Sequence, residues 1–245
     1  MPAEEQTYSS VWARPPRRRR EQPALSQEQI VAEAIALLDA EGLAALSMRK
    51  LGTRLNAGAT SMYSHVTNKD ELIELVVDQV YGEIEVPAPA GPEGWRTAVT
   101  SYAHSARGTI LRHPWIASLF GEVGMAYLGP NMMRFSESLL GLFEEAGFEL
   151  EDADDALSTV FAFIIGMATA EAAWLTTLAR NGRDEQEWVE ELWPTAEAAA
   201  QGYPRLRRLY AAQRNAEARS ERRDKFEQGL ECVLDGVAAR LTRPS

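Results

Sequence analysis

The sequence has a single cysteine, Cys232, among 245 residues, which excludes an internal disulfide framework. One cysteine fits a reducing compartment, so we expect a cytoplasmic protein. No uninterrupted stretch reaches the roughly 18 apolar residues of a membrane span, and no apolar segment follows the N-terminal charges. We therefore expect neither a membrane helix nor a secretion signal. Since 45% of the residues are apolar, the chain can bury a large core without disulfides or metals.

Signatures of catalysis are also missing, because the sequence contains no nucleophile elbow, P-loop or Rossmann fingerprint. His104 and His113 lack cysteine or carboxylate neighbours at metal-ligand spacing and are interpreted as ordinary helix residues. The carboxylates within residues 151–155 are more typical of an acidic first helical turn than of a metal or acid–base cluster. We expect no catalytic residue, no metal and no cofactor.

The charge is unevenly distributed along the chain. The formal net charge is −11, but residues 1–70 hold nine basic and eight acidic side chains, whereas the remainder holds 16 basic and 28 acidic ones. The excess acid therefore lies away from the N-terminal region, which is compatible with nucleic-acid contact at one pole of the molecule.

Residues 1–25 are predicted to form a flexible arm, since they are rich in proline and lack apolar periodicity. Residues 14–20 read Arg-Pro-Pro followed by four arginines. Two interpretations stay open for this run: a solvated charged tail, or a basic arm that reaches the DNA backbone or minor groove.

Residues 26–85 are predicted to form four helices with defined ends. Ser26 and Gln29 fit a capping box at the start of the first helix, and Gly42 fits its end. A second helix begins at Ser47 and is broken near Asn56, a residue type that tolerates the left-handed conformation of a tight turn. A very short helix follows at about residues 59–66, and Asn68 caps the fourth.

Two helices joined by a short turn, the second very short, are typical of a helix-turn-helix. In the short helix, Ala59, Met62 and Val66 share one face and the polar residues share the other. Arg49, on the preceding helix, suits a bidentate contact to guanine. Lys69, in the first turn of the next helix, suits a phosphate. The predicted DNA-contacting residues are Arg49, Lys50, Ala59, Thr60, Ser61, Tyr63, Ser64, His65 and Lys69.

The composition of residues 86–92 predicts a linker, and nearly all of the chain beyond them is predicted to be helical. The predicted helices span 93–111, 114–120, 130–146, 151–179, 185–200, 204–215 and 221–241. The predicted fold is all-α, with an N-terminal helix-turn-helix domain at 26–85 and a larger helical domain at 93–245 that binds a ligand and dimerises.

Residues 46–51 (LSMRKL) and 61–72 (SMYSHVTNKDEL) resemble the DNA-binding domain of the tetracycline-repressor (TetR) family. The resemblance covers residues 26–82, and residues 135–174 are similar to the second domain of the tetracycline repressors within that family. It implies an inverted-repeat DNA operator, repression of a nearby gene, and release on binding a small-molecule inducer. Ser64 departs from the basic or aromatic residue often found at its position, which leaves the operator preference open.

Ligand sites are apolar concavities with a few polar groups, and Phe163, Met167 and Trp174 are the predicted ligand-binding residues. Thr109 and Ala170 align with the magnesium-linked histidine and glutamate of the tetracycline repressors. This departure argues against magnesium–tetracycline as the ligand.

A homodimer is expected through pairing of the helices near 155–175 and 221–241 with their symmetry mates in a four-helix bundle. Two alternatives to a ligand-responsive repressor remain open: a small-molecule enzyme with a helical domain, and a ligand-independent DNA-binding protein.

Overall fold

A computed structural model describes residues 25–88, 91, 94–123, 128–214 and 217–241. The side chains of Ala59 and of residues 120–123 are not described, and the predicted basic arm lies outside the described residues. All regular structure in these ranges is helical, which confirms the predicted all-α class. The described residues up to Leu157 form one compact unit, and those from Ser158 form a second.

The first four helices are α1 (Gln27–Glu41), α2 (Met48–Arg54), α3 (Ala59–His65) and α4 (Lys69–Tyr81), with a 3-10 turn at Leu43–Ala45 between α1 and α2. Their predicted ends are confirmed. Ser26 and Gln29 form a reciprocal capping box on α1 with bonds of 2.8 and 3.1 Å. Gly42 ends α1 at a φ of 77°. The Asn68 side chain accepts from the backbone N–H of Glu71 at 2.8 Å at the start of α4.

α4 is buried on nearly all sides. Leu72, Val76 and Val80 have no exposed surface, and the carboxylate-bearing Glu74 and Asp78 are buried beside them. The reason is that α4 packs against α1 on one side and against α7 on another.

The first unit continues through α5 (Trp95–Arg112), α6 (Ile116–Val123) and α7 (Pro130–Glu145). Trp95, Phe143 and Phe148 form an aromatic cluster with ring centroids 5.4 to 6.0 Å apart. Aromatic rings bury large areas and prefer such edge-on contacts, so this cluster fixes α5 against α7.

α8 (Leu150–Asn181) is the longest helix and contains the boundary between the compact units. α9 (Glu185–Ala199), α10 (Pro204–Gln213) and α11 (Ala218–Leu241) follow, with a 3-10 turn at Ala200–Gly202. In the second unit, Phe163 of α8 packs on Phe226 of α11 with ring centroids 5.5 Å apart. Gly229 allows this approach, since a Cβ there would lie 2.8 Å from the Phe163 ring.

By length and composition alone, α8 is apolar enough to cross a membrane, although its sequence contains no uninterrupted apolar stretch of that length. Only 28% of its most apolar 18-residue window is buried within the chain. Much of this apolar helix is therefore not covered by the rest of the chain.

Candidate nucleic-acid interface

The turn between α2 and α3 has the backbone geometry that a helix-turn-helix requires. Asn56 adopts a φ of 48°, as its residue type predicts. The N–H of Ala57 donates to the carbonyl of Gly52 at 2.8 Å and closes the turn. A Cβ on Gly52 would lie 3.1 Å from the Ala57 carbonyl oxygen, so a glycine at this position lets the two helices meet closely.

The inner face of α3 anchors the helix to the rest of the domain. Met62 is 1% exposed and Val66 is fully buried. At the end of the helix, the carbonyl of His65 accepts a hydrogen bond of 3.4 Å from the side chain of Gln27 on α1. These contacts hold α3 in one orientation while its opposite face stays exposed.

The outer face of α3 presents polar and aromatic side chains, as predicted. Thr60, Tyr63 and Ser64 are exposed, and half of the Tyr63 surface is accessible. The Ser64 hydroxyl donates to the carbonyl of Ser61 at 2.7 Å. Ser61 and His65 are half-buried at the edges of this face. A face of this kind suits the major groove, which is about 12 Å wide.

The predicted cations fall into two groups. Arg49 and Lys69 are exposed and have no carboxylate partner within the described part of the chain. Lys50 instead forms an ion pair with Glu41. Arg49 and Tyr63 line a shared cleft of about 510 Å³ between α2 and α3. Free cations at this surface can meet phosphates or base edges, whereas Lys50 must first give up its carboxylate.

A buried carboxylate, absent from the sequence predictions, joins α4 to α7. Asp78 is 4% exposed and accepts from the backbone N–H groups of Asn131 and Met132, each at 3.0 Å. Burial raises the pKa of Asp78 above its usual value, although these bonds act in the opposite direction. A Cβ on Gly129 would lie 2.0 Å from the Asp78 carboxylate, so this junction requires glycine. Asp78 and Asn131 lie 53 residues apart in the chain, so no local sequence pattern predicts this contact.

The predicted ligand-binding residues do not converge on one cavity. Trp174 lines a cleft of about 530 Å³ in the second unit, together with Val189, Trp193 and Glu185. Its indole N–H donates to Glu185 at 2.8 Å. Phe163 packs on α11 and Met167 is half-buried, and neither is among the residues that line this cleft.

The first unit contains a buried hydroxyl without a hydrogen-bond partner. Tyr102 of α5 is fully buried, and its ring lies 5.6 Å from that of Phe135 on α7. Among the described residues its hydroxyl has no bonding partner. Burial strongly raises the pKa of this phenol, and the charge of Tyr81 adds to the effect. A buried, unsatisfied hydroxyl costs about 1–3 kcal/mol of stability.

The chain matches two family models. Residues 30–76 match the model described as bacterial regulatory proteins, tetR family. Residues 88–241 match the tetracyclin repressor-like C-terminal domain. Together these matches cover the helix-turn-helix and most of the remaining helices.

Two transcriptional regulators are similar to most of the chain. An HTH-type transcriptional regulator of Saccharopolyspora erythraea is 34% identical over 94% of this chain and 92% of its own length. The HTH-type transcriptional repressor DrrR1 of Streptomyces coeruleorubidus is 30% identical over 88% of this chain and 78% of its own length.

A solved structure is similar over its whole fold. Apo ActR from Streptomyces coelicolor is 32% identical and covers 90% of this chain and 98% of its own, with a TM-score of 0.72. The exposed face of α3, the two family models and these relatives agree. The chain belongs to the TetR family of helix-turn-helix, DNA-binding transcriptional regulators.

Proposed function

We propose that the chain is a cytoplasmic, homodimeric repressor that leaves an inverted-repeat operator when it binds a small apolar or aromatic molecule, and that it is not an enzyme. The observation that carries the proposal is the outer face of α3. This face is polar and exposed, while Met62 and Val66 fix the helix from behind. A rigid, groove-sized reading face is what sequence recognition in DNA requires.

Each exposed side chain of the interface has a proposed role. Arg49 reads a base edge, because a guanidinium can bond the O6 and N7 atoms of guanine together. Tyr63 and Lys69 hold the backbone, since an exposed phenol and an ammonium at a helix start both suit a phosphate. Thr60 and Ser64 face the groove from α3, and Lys50 joins them only when it leaves Glu41.

Dimerisation is supported by an uncovered face of α8. Six exposed residues follow one another at spacings of three or four: Thr159, Ala162, Gly166, Ala170, Ala173 and Thr177. Small side chains at such a spacing let a second helix approach closely. Since most of the apolar window of α8 is not buried within the chain, pairing with the same helix of a second copy explains that surface without a membrane.

Ligand control is supported by relatives and by Tyr102. ActR, 32% identical to this chain, has been solved in complex with actinorhodin. In the present chain, the unsatisfied hydroxyl of Tyr102 lies next to α7, on which α4 packs. A ligand that offers a hydrogen-bond acceptor there satisfies the phenol and displaces the rings beside α4. The predicted ligand contacts Phe163, Met167 and Trp174 stay predictions.

The limits of the sensing domain also stay a proposal. The linker at residues 86–92 separates the two family matches, which supports a boundary there. The boundary between the two compact units lies further along the chain, after Leu157, because α4 packs against α7. We propose that 26–85 is the reading head and 93–245 the sensor.

The proposal is tested by measuring operator affinity across a panel of aromatic metabolites with wild type and Tyr102→Phe. We expect a panel member to weaken wild-type binding, and we expect the substitution to reduce this response but not operator binding itself. Assays for turnover of the same panel, run in parallel, address the enzyme alternative. Operator binding that no panel member changes would favour a ligand-independent DNA-binding protein.

A further inference from the structure

His113 lies between two carboxylates at the corner between α5 and α6. The residue is 7% exposed. Its Nδ1 lies 2.7 Å from Oδ1 of Asp39, and its Nε2 lies 3.1 Å from Oε2 of Glu83. The sequence near His113 predicts only an ordinary helix residue, since these partners are 74 and 30 residues away in the chain.

Each carboxylate has a second donor from the same corner. The indole N–H of Trp115 donates to Oδ1 of Asp39 at 2.7 Å. The guanidinium of Arg112 donates to Oε2 of Glu83 at 2.9 Å. Burial acts to raise the pKa of Glu83, but the bonds from Arg112 and His113 outweigh it and hold that pKa below its usual value. Glu83 is therefore an ionised acceptor at neutral pH.

The two carboxylates come from opposite ends of the reading head. Asp39 lies in α1, the first helix of the head, and Glu83 lies just past the end of α4. Both donors belong to the proposed sensor, Arg112 as the last residue of α5 and Trp115 just before α6. The corner therefore binds the head at two points, and neither point involves the Asp78 junction between α4 and α7.

The protonation state of His113 decides whether the ring itself bonds to both carboxylates or to one of them. A neutral imidazole has one N–H donor, and a carboxylate is only an acceptor, so a neutral ring can bond to one of the two carboxylates. An imidazolium donates from both nitrogens. The titratable and charged groups that face the ring are Asp39 from α1, Glu83 from the turn after α4 and Arg112 from α5.

We propose that protonated His113 is a latch that fixes the reading head to the α5–α6 corner, and that loss of its proton loosens the head and weakens operator binding. The effect on DNA rests on the proposed function. A head that is held before binding loses less conformational freedom when it meets two half-sites at a fixed spacing. One bond of the latch is lost with the proton, so the operator affinity is expected to fall about tenfold.

The test follows two quantities against pH from about 5 to about 8, the range in which imidazole groups change charge. NMR of protein labelled in histidine, tryptophan and arginine reports the His113 ring nitrogens, the Trp115 indole N–H at Asp39 and the Arg112 guanidinium at Glu83. Fluorescence anisotropy reports the operator affinity. The chain has three histidines, so single His→Gln variants assign the ring signals. We expect the operator affinity, and either the Trp115 or the Arg112 signal, to change at the pH at which the His113 ring loses a proton.

Variants separate the latch from other titrating groups. Asp39→Asn and His113→Asn should each remove the His113-linked fall in affinity, and having two variants guards against one that fails to fold. His104→Gln is the matched control, because His104 is exposed on α5, the helix that ends just before His113, and the fall should persist in it. A fall in affinity that is equal in wild type and both latch variants would overturn the proposal.

The NMR arm also separates failure of the latch from failure of the proposed function. If no operator is bound at any pH, the proposed function fails, and the latch is judged by the Trp115 and Arg112 signals alone. If neither signal follows the titration of His113, then neither carboxylate contact depends on the proton, and the latch is wrong.

Discussion

At the scale of single residues, polar side chains are held by two kinds of contact, one with near neighbours in the chain and one with partners far along it. Three features involve only near neighbours: the capping box of Ser26 and Gln29, the turn at Asn56 and the helix cap at Asn68. All three form as their residue types predict. Asp78 and His113 are different, because each is fixed by partners at least 30 residues away. Local patterns carry no information about such contacts.

The predicted DNA-contacting and ligand-binding residues also differ in how far their partners lie along the chain. Arg49 and Lys69 are exposed as expected, and neither forms an ion pair within the described part of the chain. Lys50 was predicted to be equally free, but its partner Glu41 lies nine residues earlier on another helix. Phe163 was predicted from its aromatic character alone, and its contact with Phe226 depends on how α8 meets α11.

The junction at Asp78 predicts an unusual sensitivity at Gly129. Gly129→Ala should destabilise the chain by about 1–3 kcal/mol, because the new methyl group displaces the carboxylate and leaves buried groups unsatisfied. The control is Gly141→Ala in α7, where a Cβ meets nothing within 4 Å. This control should stabilise the helix by about 0.5–1 kcal/mol. Urea denaturation measures both, and equal effects of the two substitutions would contradict the junction.

Substitutions of Arg49 and of Lys69 should impair DNA binding in different ways. Arg49→Ala should cost about 1–3 kcal/mol of binding free energy and relax the sequence preference at one operator position. Lys69→Ala should weaken all sequences equally and reduce the salt slope by about one. Affinities for a set of single-base operator variants at several salt concentrations distinguish the roles. Identical sequence profiles for the two mutants would show that the roles are misassigned.

At the scale of elements, the helix limits agree closely with the periodicity of the sequence. The predicted 130–146 and 185–200 are observed as Pro130–Glu145 and Glu185–Ala199. The environment of a helix was harder to predict, as α4 shows. α4 is enclosed between α1 and α7, and it buries Glu71 and Glu74 as well as its valines, which its apolar periodicity does not predict.

The enclosure of α4 predicts that small changes in its packing alter the response to ligand. Val77 is 1% exposed, so Val77→Ile overfills its site and should shift α4 against its neighbours. We expect a changed ratio of operator affinities with and without inducer, and an unchanged half-site preference. Gln79→Ala, on the exposed side of α4, is the control. A ratio equal to wild type in Val77→Ile would place the signal on another route, such as the His113 corner.

The uncovered stripe of α8 predicts where a dimer can be broken without disturbing the protomer. A Cβ at Gly166 meets nothing within 4 Å, so Gly166→Arg fits the isolated chain but places a charge in the proposed interface. Light scattering should show a dimer for wild type and a monomer for this variant. Ala179→Arg, exposed on the opposite side of the same helix, should remain dimeric. A monomeric wild type, or its flotation with lipid vesicles, would contradict the assignment of this face.

At the scale of the whole molecule, the fold class and family could be predicted from the sequence, because helical periodicity and the motif at residues 61–72 are local. The division into compact units could not, since it depends on the packing of α4 against α7 across the predicted linker. The distribution of charge belongs to this scale as well. A chain of net charge −11 binds DNA only where its cations are concentrated, and the exposed Arg49 and Lys69 lie at one such place.

The central claim is that two copies of the chain read DNA together through α3. In vitro selection of binding sites from random duplex DNA, performed with the full chain, tests it most directly. A homodimer predicts an enriched inverted repeat whose half-sites are separated by one helical turn, about 34–36 Å, or a multiple of it. Enrichment of a single unrepeated half-site, or of no sequence at all, would contradict the account.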